Sequence, residues 1–392
     1  MKRQLLLVGA GFASSAVFAA DINLGPADLM SLDQPRVVFA ITLPGTDTQV
    51  GPIYDNTGLL DTGANGLLLS KGAYDIIASD PHAPYSPAIR SDSTPVAYRE
   101  SGVSGYEDLT VYRPYDIQYS GLTGTPVQIV QNVNVFGSPN IDLGVTAVIG
   151  MPAMRGRVVQ MDPKPLTYTN FDFLQTQFYT SPPVSQTATS YSIRLPMLPF
   201  EHTGVDPNHP SDPKPTFADL PQVDLTVSTN GITVPQRLLL DTGAQMSIIS
   251  MTAALAMGID MTDRETGGDI LHYLAVGGIG GEVAMPIVRL DRISIPTIEG
   301  DVLYLTDLQL GILDITGIDG VLGMNILTTG YMAHLSEGLG EYGAFSEITL
   351  DFRNADEGVM RLDINPAYLV PEPTSLAAIG IFGMLLTRRR PR

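Results

Sequence analysis

Two aspartates carry the clearest chemical signal in this sequence, because each stands in the same short motif. Residues 58–70 read GLLDTGANGLLLS, and residues 238–250 read LLLDTGAQMSIIS. Each copy runs from an apolar lead-in into Asp-Thr-Gly-Ala and closes with an apolar pair and a serine. A motif repeated in this way indicates that the chain is built from two similar halves.

A pair of carboxylates has a specific use in hydrolysis. Two carboxylates about 3 Å apart cannot both ionise, so they share one proton. One of them can then take a proton from water, while the other, still protonated, polarises the carbonyl that is attacked. The repeated motif therefore predicts that Asp61 and Asp241 act together as one catalytic pair.

The residues after each aspartate indicate how the pair is held. Gly63 and Gly243 allow the backbone to turn sharply, so that N–H groups point at the carboxylates. Thr62 and Thr242 can each hydrogen-bond to the opposite loop and connect the two halves. We expect these four residues to form two active-site loops that face each other.

A second element follows each motif in the same order, Val-Ile-Gly-Met at 148–151 and Val-Leu-Gly-Met at 321–324. We interpret each as a short strand behind an active-site loop, where Gly150 and Gly323 permit close approach of the backbones. Two matching elements in each half are more specific than a lone Asp-Thr-Gly, which occurs by chance. The alternative is a pair of strand-to-turn signals in a β-sandwich.

In these motifs the chain resembles the aspartic proteases of the pepsin and retropepsin clan, over most of residues 35–365. The resemblance implies a mostly β, two-lobed pepsin-like (acid protease) fold, with the active-site cleft between similar β lobes. It also implies a polypeptide substrate, Asp61 and Asp241 as the catalytic dyad, and no need for a cofactor or metal. The aspartates lie 180 positions apart (241 − 61) in one chain, which favours a monomer over a dimer of lobes. Residues 347–364 resemble the terminal strands that join the lobes.

Ala64 and Ala244 depart from the pepsin pattern, in which Ser or Thr follows Asp-Thr-Gly. The missing hydroxyl removes a hydrogen bond that would favour the ionised carboxylate and lower its pKa. We therefore expect activity at mildly acidic to neutral pH rather than at strongly acidic pH.

Two glycine-rich segments are candidates for flaps over the cleft. Residues 98–106 fit a Gly-tipped hairpin in which Tyr98 resembles the family's flap tyrosine, with Tyr106 as second choice. Residues 276–281 read VGGIGG and resemble a retroviral flap tip, which suits a mobile lid. The flap candidates in this second segment are Gly277, Gly278 and Gly280. The plainer alternatives are a strand tyrosine packed on a hairpin and a Gly-rich turn.

Composition and the positions of proline and glycine residues divide the chain into five segments. The 39 Gly and 30 Pro among 392 residues favour strands and turns over helices. Prolines between the halves indicate a linker, inside which 190–195 is a candidate short strand. The predicted segments are a signal peptide at 1–20, an N-terminal lobe at 21–185, a Pro-rich linker at 186–221, a C-terminal lobe at 222–366 and a sorting signal at 370–392.

Both ends of the sequence predict export. Lys2 and Arg3 precede an apolar run at 5–18 and two small residues, the pattern of a signal peptide. The C-terminus carries Pro-Glu-Pro at 371–373, an apolar run and an arginine-rich end. It closely resembles the PEP-CTERM sorting signal of Gram-negative bacteria. This implies recognition by exosortase-type machinery, only transient membrane contact, and release to the cell envelope or exterior. The alternative is a marginal permanent anchor.

Charge and composition exclude other classes of protein. The formal charge of −19 disfavours a nucleic-acid partner, and the absence of Cys excludes disulfides and thiol catalysis. His202, Asp206, His209 and Asp212 could hold a metal, but we favour solvated linker residues. Two alternatives stay open: an inactive binding or envelope-matrix protein on the same fold, and a short propeptide within residues 20–36.

Overall fold

A computed structural model describes most of the chain between the two predicted targeting segments. The described residues are 21–31, 33–51, 56–81, 88–102, 105–122, 124, 127–142, 144–163, 174–179, 189–199, 206–330 and 343–369. The predicted signal peptide and the predicted sorting signal both lie outside these ranges. Within them, no helix has the length and apolar character needed to cross a membrane.

The described chain folds mostly into strands, which confirms the predicted fold class. In chain order the strands are β1 (Asp21–Pro26), β2 (Arg36–Thr42), β3 (Gln49–Val50), β4 (Thr57–Leu60), β5 (Leu67–Leu69), β6 (Ala97–Gly102), β7 (Gly105–Gly121), β8 (Gln128–Gly137), β9 (Ala147–Ile149), β10 (Val158–Pro163), β11 (Leu174–Tyr179), β12 (Ser190–Leu198), β13 (Leu220–Thr229), β14 (Ile232–Leu240), β15 (Ile248–Ile249), β16 (His272–Gly278), β17 (Gly281–Pro296), β18 (Val302–Ile312), β19 (Gly320–Leu322), β20 (Phe345–Asp351) and β21 (Glu357–Ile364). The helices are short, namely α1 (Lys71–Ser79), α2 (Met151–Met154), α3 (Met251–Ala256) and α4 (Met324–Leu327), with 3₁₀ turns at Arg264–Thr266 and Pro366–Leu369.

Alternating burial explains why these segments form strands. In β13, Val223, Leu225 and Val227 are buried in the core. Asp224 lies on the opposite face, where its carboxylate accepts a hydrogen bond from Arg237 of β14 at 2.6 Å. Successive side chains of a strand point to opposite faces, so one apolar row packs inward while the other row meets solvent. Branched side chains such as valine fit this pleated surface well.

The two halves repeat one strand arrangement. Across the sheets, the order is β2-β4-β9-β5-β8-β7-β6 in lobe one and β13-β14-β19-β15-β18-β17-β16 in lobe two. In both lobes, the strand before the Asp motif pairs in parallel with the apolar-Gly strand, as β4 does with β9 and β14 with β19. Each path ends in a hairpin, β6–β7 or β16–β17. The lobes are therefore similar β units, as the sequence repeat predicts.

Strands from both halves form one sheet that joins the lobes, in the order β11-β10-β20-β21-β12. At its centre β10 pairs antiparallel with β20, so that Val158 lies opposite Asp351 and Met161 opposite Ile348. This pairing confirms that residues 347–364 join the lobes. One continuous apolar core extends from lobe one through this sheet into lobe two.

The predicted linker at 186–221 contains a full strand of the inter-lobe sheet. β12 lies antiparallel to β21, and its last residues pair with the start of β13. It extends beyond the short strand predicted at 190–195 and ends at Leu198. Buried Ile193 and Leu195 fix it on the core. The many prolines of this region predict a linker, although the alternating apolar residues of 190–198 form a strand.

The first residues after the predicted signal peptide pair with lobe two. Beginning at Asp21, β1 runs parallel to β18. The Asn325 side chain then donates to the Asp28 carbonyl at 3.0 Å, and the Ser31 N–H donates to the Gln245 carbonyl at 2.8 Å. The prediction that this segment belongs to lobe one is therefore wrong. An apolar pattern predicts a strand, but it does not predict which sheet the strand will join.

Candidate active site

Each aspartate stands at the end of a strand and is fixed by the neighbouring strand. Asp61 follows β4, and its N–H donates to the Ile149 carbonyl of β9 at 3.1 Å. Asp241 follows β14, and its N–H donates to the Leu322 carbonyl of β19 at 3.0 Å. The same backbone bond therefore positions the aspartate in both lobes.

The two carboxyl groups meet between the lobes and hydrogen-bond to each other. In both loops, one carboxylate oxygen also accepts two backbone N–H groups. These bonds join Asp61 Oδ1 to Gly63 (2.7 Å) and Ala64 (3.1 Å), and Asp241 Oδ1 to Gly243 (2.8 Å) and Ala244 (2.9 Å). Backbone N–H groups of its own loop thus orient each carboxyl group.

Gly63 and Gly243 each lie against the carboxyl group of the opposite lobe. A Cβ on Gly63 would overlap the Asp241 carboxyl, and a Cβ on Gly243 would overlap that of Asp61. Because glycine has no Cβ, the two carboxyl groups can approach each other. These glycines therefore set how closely the pair approaches, in addition to making the predicted turn.

The two motif threonines form a symmetric bridge below the pair. The Thr62 hydroxyl donates to the Leu240 carbonyl at 2.6 Å and accepts the Thr242 N–H at 3.0 Å. The Thr242 hydroxyl donates to the Leu60 carbonyl at 2.7 Å and accepts the Thr62 N–H at 3.1 Å. Both side chains are buried. These are the cross-lobe bonds that the sequence predicts for Thr62 and Thr242.

Gly150 and Gly323 lie directly behind the loops, where the backbones crowd. A Cβ on Gly150 would overlap the Ala64 carbonyl, and a Cβ on Gly323 would lie 2.5 Å from the Met246 carbonyl oxygen. Their φ angles of −86° and −89° are open to any residue. Close approach, rather than an unusual turn, therefore explains the glycine at each position.

Burial raises the pKa of both carboxyl groups, because the ionised form loses its hydration. For Asp241, the charge and hydrogen bond of Asp61 add to burial and hold the pKa well above its ordinary value. For Asp61, the hydrogen bond from Asp241 and the backbone N–H groups oppose burial in part. The pair titrates as a unit and retains one shared proton where an isolated aspartate has lost its own.

A cleft of about 610 Å³ opens above the pair, between the lobes. Both aspartates line the cleft, and most of the other side chains that line it are apolar. Lobe one contributes Leu68 and Val148 to the walls, and lobe two contributes Ile248 and Val321. A concave apolar site with a few convergent polar groups is typical of a ligand-binding site.

One hairpin from each lobe reaches over this cleft, and the two hairpins touch. Gly102 of the β6–β7 hairpin lies against Ile279 of the β16–β17 hairpin. Gly280 has a φ of +92°, and a Cβ there would lie 2.6 Å from the Gly105 nitrogen. The other two glycine candidates of this hairpin line the cleft, namely Gly277 and Gly278. The structure thus places both predicted flap segments above the pair.

Tyr98 belongs to the lobe-one hairpin but does not line the cleft. Its side chain is 3% exposed, and its ring packs on Phe217 and Phe136 at centroid distances of 5.1 and 6.4 Å. Tyr106, the second choice, is 60% exposed. The cleft-lining side chain of β6 is instead that of Glu100. Burial of a large aromatic ring beneath the hairpin explains the position of Tyr98.

Sequence reasoning missed the N-terminal segment that crosses the site. The Gln34 amide donates to the Gly243 carbonyl in the lobe-two loop, and both Met30 and Gln34 line the cleft. No motif marks these residues, because their position follows from the pairing of β1 with lobe two. The propeptide considered within 20–36 would coincide with a strand and an active-site contact of the folded chain.

The acidic linker cluster considered as a metal site binds an arginine. Arg90 of lobe one donates to Asp212 at 2.7 Å and to Asp206 at 3.1 Å. His209 Nδ1 lies 2.8 Å from Asp206, while His202 lies outside the described residues. These contacts fasten the segment between the lobes to lobe one.

Comparison with known proteins adds one family match, since residues 224–326 match the model of the aspartyl protease family. Among solved structures, the chain is similar to an aspartic proteinase from Irpex lacteus at 12% identity, with a TM-score of 0.42, covering 85% of this chain and 97% of that one. It is also similar to basic 7S globulin from soybean at 9% identity, with a TM-score of 0.38, covering 83% and 96%. No curated protein matches the chain. The repeated lobes, the paired loops and the family match define an aspartic protease fold.

Proposed function

We propose that this chain is an aspartic endopeptidase that hydrolyses peptide bonds with a water activated by Asp61 and Asp241. The observation that carries the proposal is the symmetric pair, in which two carboxyl groups in contact are each held by two backbone N–H groups. A protein that only binds a partner has no need of such a pair, because burying carboxylates destabilises a fold.

The pair supplies both proton transfers that hydrolysis requires. In the reactive state one carboxyl is ionised and the other is protonated. The ionised group takes a proton as the water oxygen attacks the carbonyl carbon, and the protonated group gives its proton to the carbonyl oxygen. The tetrahedral intermediate then collapses and the C–N bond breaks. One carboxyl gives its proton to the departing nitrogen while the other takes the proton of a hydroxyl group as the carbonyl re-forms, so the pair again holds one proton. No covalent bond to the protein forms in this scheme.

The electrostatics of the pair support a mildly acidic to neutral optimum. Burial raises both pKa values, and the charge of Asp61 raises that of Asp241 further. Ala64 and Ala244 supply no hydroxyl that would oppose this effect. The shared proton therefore survives at higher pH than in an isolated carboxyl group. A pH–rate profile checks this, and an optimum below about pH 3 would contradict the reasoning.

An extended polypeptide fits the cleft beneath the two hairpins. Main-chain groups can bond to such a peptide as one strand bonds to another, while the apolar walls receive its side chains. Because Gly102 lies against Ile279 and Gly105 against Gly280, the hairpins must separate before a chain enters. Glycine at these contacts eases the backbone rotation that such a motion requires.

The two ends of the sequence support a proposal about location. We infer that the signal-peptide pattern at 1–20 directs export and that exosortase-type machinery processes the tail at 370–392. The mature monomer would then work in the cell envelope or outside a Gram-negative cell. Immunoblotting of cell fractions tests this proposal, and retention of the chain in the cytoplasm would overturn it.

Peptide digestion tests the proposed activity directly. Residues 21–369 and the Asp241→Asn variant are incubated with a mixed peptide library from about pH 3 to about pH 8, and the products are identified by mass spectrometry. Cleavage by the parent and none by the variant supports the proposal. A folded parent that cleaves nothing favours a binding protein, and equal cleavage by both chains indicates another site or a contaminant.

A further inference from the structure

The segment before β2 lies against the lobe-two active-site loop and is held there by polar contacts. Its Ser31 N–H donates to the Gln245 carbonyl at 2.8 Å, and the Ser31 hydroxyl lies 3.0 Å from the hydroxyl of buried Thr328. Three residues later, the Gln34 amide donates to the Gly243 carbonyl. The segment is therefore part of the lobe-two half of the site, although it precedes lobe one in the sequence.

Two apolar side chains of this segment belong to the lobe-two half of the cleft. Leu29 packs against an apolar cluster of lobe two, which consists of Met246, Ile248, Met285, Ile287 and Val321. Three members of this cluster also line the cleft, namely Met246, Ile248 and Val321. Met30 lines the cleft as well, and its side chain is 40% exposed. A methionine beside an apolar wall provides an adaptable contact surface for an apolar ligand.

Met30 has a fixed place relative to the catalytic pair. Its segment bonds to the loop that follows Asp241, and the Pro35 carbonyl then accepts the Leu60 N–H at 2.8 Å. Leu60 immediately precedes Asp61. Backbone contacts thus tie the segment to both active-site loops. A side chain on such a support is positioned to meet a bound substrate in a defined geometry.

The other half of the chain contains an equivalent crossing. The Ala218 N–H donates to the Asn65 carbonyl of the lobe-one loop at 2.9 Å. Like the acceptor in the lobe-two loop, Asn65 stands four positions after its aspartate (65 − 61 and 245 − 241). The residue before the donor is Phe217, whose ring packs on Tyr98 at a centroid distance of 5.1 Å. Met30 holds the matching place in the N-terminal segment, and there the side chain lines the cleft.

We propose that Met30 determines which substrate side chain is accepted at one position, on the Asp241 side of the cleft, and that this side chain is large and apolar. The inference rests on the proposed endopeptidase function and names its substrate class. A substrate side chain placed there contacts Met30 and the apolar wall beside it, and both surfaces leave water. Because the matching residue of the other half packs on Tyr98, the two halves of the cleft differ. This difference gives the substrate a preferred direction across a nearly symmetric site.

The test compares cleavage by the full chain and three variants. Met30→Glu places a carboxylate at the same point of the cleft, and Met30→Ala shortens the side chain. Because Met30 is exposed, the fold is expected to accept both changes. Ile298→Glu is the matched control, since Ile298 is a 46% exposed apolar residue between β17 and β18. Each protein is digested with a peptide library, and kcat/KM is then measured on matched peptides with leucine, alanine or lysine at the selected position.

We expect large apolar side chains to be enriched at one fixed position from the cut in products of the parent and of Ile298→Glu. Met30→Glu should gain lysine and arginine at that position, so that the ratio of kcat/KM for the lysine and leucine peptides rises on the order of tenfold to a hundredfold. Met30→Ala should lower the ratio for the leucine and alanine peptides by about tenfold. Preferences at the other positions should be kept, which shows that the variants are folded and that the catalytic pair is intact.

Two outcomes overturn the inference in different ways. If Met30→Glu keeps the preference of the parent at every position, or Met30→Ala leaves the leucine-to-alanine ratio unchanged, the role of Met30 is refuted while the peptidase function stands. Should Met30→Glu cleave nothing, the ratio measured with Met30→Ala decides. If a parent shown to be folded by circular dichroism cleaves nothing, the proposed function fails and the substrate class fails with it.

Discussion

The threonine bridge below the catalytic pair gives a quantitative test of how the lobes are joined. Thr62→Val keeps the shape of a fully buried side chain but removes its hydrogen bonds to Leu240 and Thr242. The Leu240 carbonyl and the Thr242 N–H then lose a buried partner, at about 1–3 kcal/mol for each group. We expect a loss of about 2–5 kcal/mol, which is a large part of the roughly 5–15 kcal/mol that stabilises most proteins.

Urea unfolding followed by circular dichroism measures this loss, since the chain has no tryptophan to serve as a fluorescent reporter. Thr242→Val is the matched variant, because its hydroxyl makes the equivalent bonds to Leu60 and Thr62. Thr233→Val is the control, since Thr233 is an exposed residue of β14 and its change is expected to stay within about 0.5 kcal/mol.

Because Thr62 and Thr242 make equivalent hydrogen bonds, their substitutions should have equal effects on the free energy of unfolding. Thr62→Val and Thr242→Val should destabilise the protein equally, and both should do so far more than the control. A Thr62→Val protein as stable as Thr233→Val would refute the assignment of these bonds. A difference of more than about 1 kcal/mol between the two bridge variants would refute their equivalence.

Two further predictions concern the carboxyl groups themselves. Gly63→Ala places a methyl group against the Asp241 carboxyl, so kcat/KM should fall by about a hundredfold or more, whereas Gly72→Ala, which has open space around it, should keep full activity. Asp241→Asn should raise the melting temperature at neutral pH. The fold raises the pKa of this carboxyl, so the parent loses stability as pH rises from about 4 through the raised value. Calorimetry measures the difference in melting temperature between the variant and the parent. A difference that does not shrink as pH falls toward about 4 would contradict this prediction.

Much of the site could be predicted because its functional residues are contiguous in the sequence. Asp61, Thr62 and Gly63 act within one turn, and the second copy of the motif repeats the same turn with the same partners. The apolar-Gly elements are similarly local, since each supplies a strand and a close approach. Repetition made the two-lobed fold predictable as well, because one sequence pattern used twice implies one structural unit used twice.

The features that escaped prediction depend on contacts between distant parts of the chain. The predicted segments assign residues 21–26 to lobe one, but the pairing of this strand with β18 of lobe two is decided by the assembled fold. Tyr98 fits the expected flap position, yet the large ring gains more from packing on Phe217 than from lining the cleft. Arg90 lies far in sequence from the linker acids that it binds. In each case, residues remote in the chain determine the result.

A double-substitution cycle on a single cleaved peptide tests whether Asp61 and Asp241 act as one catalytic unit. Because the two carboxyl groups share one proton, replacing either one removes the catalysis that the pair supplies. Either Asp→Asn change alone should therefore reduce kcat by at least about a thousandfold. The Asp61→Asn/Asp241→Asn protein should then be hardly slower than either single variant. Losses that simply multiply, or substantial activity in either single variant, would show that the two aspartates do not act as one unit.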